Sequence, residues 1–236
     1  MPDAVDEYAP ILAGPGSSDY ERYLRTDELL ALQKRPEEMT HRDELLFQTV
    51  HQSSELWLKL AVTEVSAAVE RLRARDLPAA ARLLRRAVAA VKLVTDALDM
   101  LEHMSPWEYQ EVRRALGHGS GFDSPGFRAV RSVSIRLGTA FHELLREQGV
   151  TVVELIQRGR ELEGLYGIEE LLIEWDERIS VWRLRHVKVV ERIIGGGSVG
   201  TQGTPVELLV GLIRQNLYPE LWQARTELTA LAKVDD

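Results

Sequence analysis

From about residue 43 to residue 75 one stripe of the chain reads Phe47, His51, Ser54, Leu58, Val62, Val65, Val69, Leu72, every step being three or four residues. That period is the signature of one face of an α-helix and conflicts with the two-residue alternation of a strand. A second stripe, Leu84, Val88, Val91, Val94, Leu98, Leu101, opens after Pro78 and runs to about Met104. It predicts a second helix that pairs antiparallel with the first across a short link. A third stripe, Leu172, Trp175, Ile179, Trp182, His186, Val189 or Val190, Ile193, predicts a long helix over about 168–194, stopped by Gly195, Gly196 and Gly197.

The remaining signals are shorter. Thr26 with Asp27 and Glu28 resembles a helix cap and acidic first turn, ending before Pro36. Ser105-Pro106-Trp107-Glu108 is a capping-box sequence for a helix ending at Leu116-Gly117. Further helices are expected over about 127–146, 152–162 and 205–217, and from Pro219 onward. Two glycine-rich stretches, 117–126 and 195–204, read as loops. With no strand pattern and no internal repeat, the fold class is all-α, a helical bundle. Residues 1–19 mix Pro, Gly, Ser and Asp without a period and read as a flexible N-terminal arm, leaving 20–236 as one helical domain.

Composition then narrows the functions. Lys and Arg number 29 against 37 Asp and Glu, a net charge of −8, so a phosphate backbone is repelled on average and nucleic acid is not an expected partner. The chain has no cysteine, which excludes disulfides, zinc-thiolate sites and cysteine-ligated iron. No apolar run approaches a membrane span, and acidic residues stand where a signal peptide needs basic ones; the expectation is a cytoplasmic protein with no membrane partner.

Six histidines are present, at positions 41, 51, 103, 118, 142 and 186. One histidine on an apolar stripe is ordinarily a packing residue. Two long helices that each put a histidine on the buried face, with aromatic neighbours, instead describe a core where a cofactor is gripped. Haem is the natural candidate, needing one axial imidazole, an apolar slot and a distal group, which His186, the Trp182 stripe and His51 can supply. A di-iron bundle would need two Glu-x-x-His pairs, and only Glu38-Met39-Thr40-His41 fits. A Gly-x-Ser-x-Gly nucleophile is missing, because GHGSG at 117–121 places Ser120 one position late. The 195–204 stretch lacks the Lys-Ser/Thr of a phosphate loop; it is either a linker or a source of hydroxyls, through Ser198, Thr201 and Thr204.

Several blocks carry a family resemblance: YERYLRTDELL (20–30), HRDELLFQTVHQSSELWLKL (41–60), MSPWEYQEVRRALGHGSGFDS (104–124), WRLRHVKVVERIIG (182–195), GTQGT (200–204) and YPELWQARTEL (218–228). In these blocks, and in their order, the chain resembles the tryptophan 2,3-dioxygenases. The resemblance implies a haem b enzyme that uses O2 to open the indole ring of L-tryptophan or a tryptophan analogue, giving an N-formylkynurenine-type product. It implies His186 as the proximal iron ligand with Trp182 beside the cofactor, and His51 as the distal acceptor of the indole N–H, with Phe47 walling the pocket. It implies Arg113 on the substrate carboxylate with Tyr109 one turn before it, Ser120 over the haem, and Thr201 on the substrate ammonium or carboxylate. Tyr20, Tyr23 and Leu24 would close the pocket of a neighbouring subunit in a homotetramer.

Three departures accompany the likeness. Val112 stands where the family usually has an aromatic residue, the usual GTGG reads GTQG, and the stretch between Arg113 and His186 is short. They leave two further expectations open: a relative that hydroxylates a modified tryptophan or indole with one oxygen atom, and a non-catalytic haem-binding sensor. Retention of both His51 and Arg113 disfavours the sensor.

Overall fold

Each long stripe folds as one helix in the computed structural model, which describes residues 8–233. The order is α1 (Asp19–Leu24), α2 (Thr26–Leu30), α3 (Asp43–Arg73), α4 (Leu77–Leu101), α5 (Pro106–Ala115), α6 (Pro125–Gln148), α7 (Val152–Gln157), α8 (Glu163–Ile194), α9 (Val206–Ile213) and α10 (Pro219–Ala232). Among the described residues the only β feature is an isolated bridge between Val199 and Pro205. The all-α expectation is borne out.

Helix boundaries follow local chemistry. The Asp76, Ser105, Ser124 and Thr151 side chains accept from the first-turn amides of α4, α5, α6 and α7, satisfying donors that no intrahelical carbonyl can reach. Proline occupies the first turn of α4, α5, α6 and α10. The helix expected over 152–162 stops at Gln157, and α8 starts at Glu163, earlier than its stripe suggests. Burial of Leu165 and Ile168 accounts for that early start. Helix α9 ends at Ile213, short of the expected 217, and Arg183 donates from Nη1 to the carbonyls of Leu212 and Gln215 just at that end.

Four helices make the bundle. Contacts at two places give the directions: the short 74–76 link and the Arg86–Glu64 pair set α4 antiparallel to α3, Arg75 with Glu147 and Arg136 with Glu70 set α6 parallel to α3, and Leu77 beside Gly164 at one end with Arg185 on Asp99 at the other sets α8 parallel to α4. The topology is up-down-up-down. Leu58, Val65, Val69 and Leu72 of α3 pack with Leu84 and Val91 of α4, Leu137 and Phe141 of α6, and Leu172 and Trp175 of α8, all without exposed surface. Trp175 donates from Nε1 to Ser134 Oγ at 2.9 Å, so its one polar atom is satisfied inside the core. Asp176 Oδ2 accepts from the Leu217 and Tyr218 amides and from Trp222 Nε1, tying α10 to α8.

Two ends result. One holds the tight 74–76 turn and α7. At the other, α3 and α6 begin, α4 and α8 end, and α5 and both glycine-rich loops gather. The chain before α1 is folded back on that helix: Asp19 accepts from the Ile11 and Leu12 amides, and Arg22 donates to the carbonyls of Leu12 and Gly16. The first seven residues of the expected arm lie outside the described residues. No helix among those described is long and apolar enough to cross a membrane.

Candidate active site

The apolar interior is split. A large cluster fills the middle of the bundle, and a smaller one, Val50, Leu98, Leu101, Met104, Val112, Val189 and Ile193, fills the loop-bearing end. Trp182 packs against both. His51, between Val50 and Leu58 on α3, and His186, between Ile179 and Val189 on α8, border the division.

Aromatic rings line it from each side. Phe47 stacks on His51 with centroids 3.9 Å apart, and Tyr109 of α5 lies 6.2 Å from Phe47. Trp182 lies parallel to His186 at 5.1 Å, and Phe127, at the start of α6, stacks on Trp182 at 3.7 Å. Phe127 is a site neighbour that the sequence did not single out; its signal was only that α6 begins beside it.

Both imidazoles are held neutral. Burial pushes His186 down to about 4, with the charge of nearby His51 contributing second. Burial also holds His51 below the usual imidazole value, against opposing contributions from the Phe47 carbonyl and the Glu55 carboxylate. His51 keeps accessible surface although the atoms packed around it desolvate its ring. His51 Nδ1 lies 2.7 Å from the Phe47 carbonyl. Among the described residues His186 has no hydrogen-bond partner on either ring nitrogen, and the neighbouring Trp182 Nε1 is buried and also unpartnered.

These features fit a haem. A neutral imidazole with a free nitrogen is a ligand for iron. No three His, Asp or Glu side chains among the described residues converge on a metal ion, so a metal at His186 would have to bring its other ligands, as a porphyrin does. Apolar and aromatic walls on both sides suit a flat macrocycle, and the unpaired Trp182 N–H offers one buried donor beside it.

The polar end of the site comes from α5 and the loops. Val112 is buried in the smaller cluster, which turns Arg113 of α5 toward the 195–204 loop, where its Nη2 donates to the Val199 carbonyl at 2.8 Å. Burial raises the Tyr109 phenol above its ordinary pKa, and nearby Arg113 opposes this. Thr201 donates its hydroxyl proton to the Gly119 carbonyl, so the two glycine-rich loops touch. Ser120 keeps its hydrogen bonds within its own loop, accepting from the Phe122 amide and donating its own amide to Asp123. Behind Phe47 and Val112, a cavity of about 60 Å³ is lined also by Gln48, Leu116 and the ion-paired Lys34 and Glu44.

Tyr20, Tyr23 and Leu24 of α1 are not part of this cluster. All three are exposed, the tyrosines at 68% and 78%. Glu55, one turn after His51, was not anticipated: its carboxylate accepts from the Ser124 hydroxyl and from the Gly126 amide at 2.9 Å, pinning the start of α6 to the helix that carries His51. A carboxylate four residues from His51, beside an apolar stripe, was its one sequence signal.

The model of the tryptophan 2,3-dioxygenase family matches residues 11–143. The chain belongs to the tryptophan 2,3-dioxygenase family. Among similar proteins, the tryptophan 2,3-dioxygenase of Bacillus thuringiensis subsp. konkukian (strain 97-27) is 31% identical over 260 residues, which cover 89% of this chain and 92% of its own. The tryptophan 2,3-dioxygenase of Erythrobacter litoralis (strain HTCC2594) is 32% identical, covering 89% and 98%. That of Myxococcus xanthus (strain DK1622) is 32% identical, covering 91% of each. An alignment of 260 residues is longer than this whole chain of 236, so the Bacillus dioxygenase carries residues with no counterpart here.

Proposed function

We propose that this member of the tryptophan 2,3-dioxygenase family opens the indole ring of L-tryptophan, or of a substituted tryptophan, with O2 to give an N-formylkynurenine-type product. The observation that carries the reading is the pair of neutral imidazoles, each on an aromatic wall of one split core and each with a nitrogen free to bind. His186 would hold the iron of a haem b, with Trp182 against its proximal side. Haem, when bound, supplies the activation of O2 for attack on the indole.

The chain's own residues supply binding and orientation. His51 Nε2 accepts the indole N–H, and Phe47 packs against the indole face. Arg113 keeps guanidinium donors beyond the one given to Val199, and these grip the α-carboxylate. Thr201 and Ser120 add hydroxyls where the loops meet, and Tyr109 closes the side next to Arg113. A substituted tryptophan is included because Val112, smaller than an aromatic residue, stands where the resemblance to the family would place one. Exposed Tyr20, Tyr23 and Leu24 would cover the site of a neighbouring copy in a homotetramer.

Isotope labelling tests the reaction. With ¹⁸O2 and L-tryptophan, both labelled atoms should enter one ring-opened product. A single labelled atom in an intact, hydroxylated ring would replace the dioxygenase reading with a monooxygenase one.

A further inference from the structure

Residues 199–204 form a small loop with its own internal hydrogen bonds. The Gly200 amide donates to the Thr204 carbonyl at 2.8 Å, the Gly203 amide to Gly200 at 3.0 Å, and the Val206 amide to Ser198 at 3.2 Å. Gly203 takes φ +73°, a left-handed conformation that glycine adopts without steric cost. The loop is therefore built to move as one piece, and what its tip holds decides where Thr201 sits.

Its tip holds the other glycine-rich loop. Gln202 Nε2 donates to the His118 carbonyl at 3.0 Å and to Asp123 Oδ2 at 2.8 Å. The same Asp123 oxygen accepts the Ser120 amide at 3.1 Å. One carboxylate oxygen thus links the Gln202 side chain to the backbone of Ser120. On the far side of the loop, Arg113 holds the Val199 carbonyl. Arg113, Ser120 and Thr201 are in this way brought into one hydrogen-bonded assembly, to which Gln202 contributes the two donors of a single amide group. Gln202 stands where the resemblance to the family would place a glycine, which has no side chain to contribute.

We propose that Gln202 is a positioning residue that fastens the 199–204 loop onto the 117–124 loop and thereby holds an amino-acid substrate between Arg113 and Thr201. The substrate half of this rests on the dioxygenase reading above; the fastening does not. Gln202 touches no reacting group in that scheme, so its loss loosens binding without slowing chemistry. Two hydrogen bonds lost from a partly exposed site correspond to about a tenfold change in affinity.

The test is amide hydrogen exchange on the purified holoprotein, with Q202G and the near-isosteric Q202E. Both variants remove the donor, and Q202E also sets a carboxylate against Asp123. Exchange should quicken in 117–124 as well as in 199–204 and stay unchanged in α3 and α8. In steady-state turnover of L-tryptophan, Q202G should raise KM about tenfold with kcat within about twofold. Unchanged exchange in 117–124 in both variants overturns the fastening. Loss of kcat at unchanged KM overturns the positioning role. If exchange responds as stated while the wild-type protein turns over no tryptophan, the fastening stands and substrate retention falls with the dioxygenase reading.

Discussion

His51 Nδ1 lies 2.7 Å from the carbonyl oxygen of Phe47, one turn earlier on α3. A carbonyl can only accept, so Nδ1 must carry the proton and Nε2 of the neutral ring is left as a bare acceptor. The same pair stacks ring on ring at 3.9 Å, which fixes the imidazole plane. Tautomer and orientation are both set before any substrate arrives.

The first prediction follows from that acceptor. His51→Ala should lower kcat/KM for L-tryptophan by up to about tenfold without abolishing it, because one neutral hydrogen bond contributes on the order of 0.5–1.5 kcal/mol. The pH profile gives a second check. Protonation would turn Nε2 into a donor, and burial holds the His51 pKa below 6.5. The wild-type acid limb should therefore fall below pH 6.5 and be missing from the variant. Folding stability should drop as pH falls from 6.5 toward 4. In that window the unfolded chain takes up protons that the desolvated imidazoles of His51 and His186 exclude.

His186→Ala should remove the native Soret band, while His51→Ala and variants of His41, His103, His118 and His142 keep it. The reason is local: His186 has a free ring nitrogen, an aromatic wall and a position between two apolar clusters, whereas His142 is committed to Glu220 at 2.9 Å. Absorption spectra of the reconstituted variants decide it.

The helices were legible in the sequence because their signals are local. Leu58, Val65, Val69 and Leu72 recur at helical steps, and Pro106, Pro125 and Pro219 mark first turns whose amides have no intrahelical acceptor. The two histidines were legible because each interrupts an apolar stripe. What the sequence did not reveal depends on contacts between segments far apart in the chain. Glu55 meeting Gly126, Arg183 ending α9 and Gln202 reaching Asp123 each join residues 29 or more positions apart. Periodicity carries no information about such pairs. Gln202 was visible only as a departure from a motif.

Gly126→Ala should destabilise the protein by about 1–3 kcal/mol, the usual cost of overpacking. A Cβ there would lie 2.7 Å from Glu55 Oε2 and 2.8 Å from Leu58 Cβ, and the latter cannot swing away. Thermal unfolding should show a lower Tm. Hydrogen exchange should show a looser start of α6, since the Glu55 bond to the Gly126 amide is the contact displaced.

An association prediction rests on α1. Tyr20, Tyr23 and Leu24 of α1 are exposed, as are Leu29 and Leu30 of α2 and Leu32 just after it, and large apolar side chains exposed close together in sequence suit a contact with another copy. Sedimentation should give a homo-oligomer, most simply a tetramer. The double variant Y20S/Y23S should shift the distribution toward smaller species and raise KM for tryptophan, if a neighbour's α1 covers the site. An active wild-type monomer would exclude a shared pocket.

The final prediction concerns substrate choice and rests on Arg113. Its helix is fixed by buried Val112 beneath it, and its guanidinium spends one Nη2 bond on the Val199 carbonyl. A guanidinium has five donors, so the remaining ones can meet a carboxylate two-fold. Free indole has no such group. A charge-assisted hydrogen bond contributes about 1.5–3 kcal/mol, which corresponds to roughly 10- to 200-fold in kcat/KM, so tryptophan should be preferred over indole by at least that margin. Arg113→Ala should erase most of the preference while leaving the haem spectrum unchanged, since Arg113 lies on the loop side and not beside His186. Arg113→Lys should recover the charge but not the two-fold geometry, and should fall between the two. Because the variant also releases Val199, a control is needed that loosens the loop without touching Arg113. Q202G serves: it should raise KM for tryptophan yet keep the tryptophan-over-indole ratio in kcat/KM well above that of Arg113→Ala. Equal turnover of indole and tryptophan by the wild-type protein would leave Arg113 as a loop anchor and nothing more.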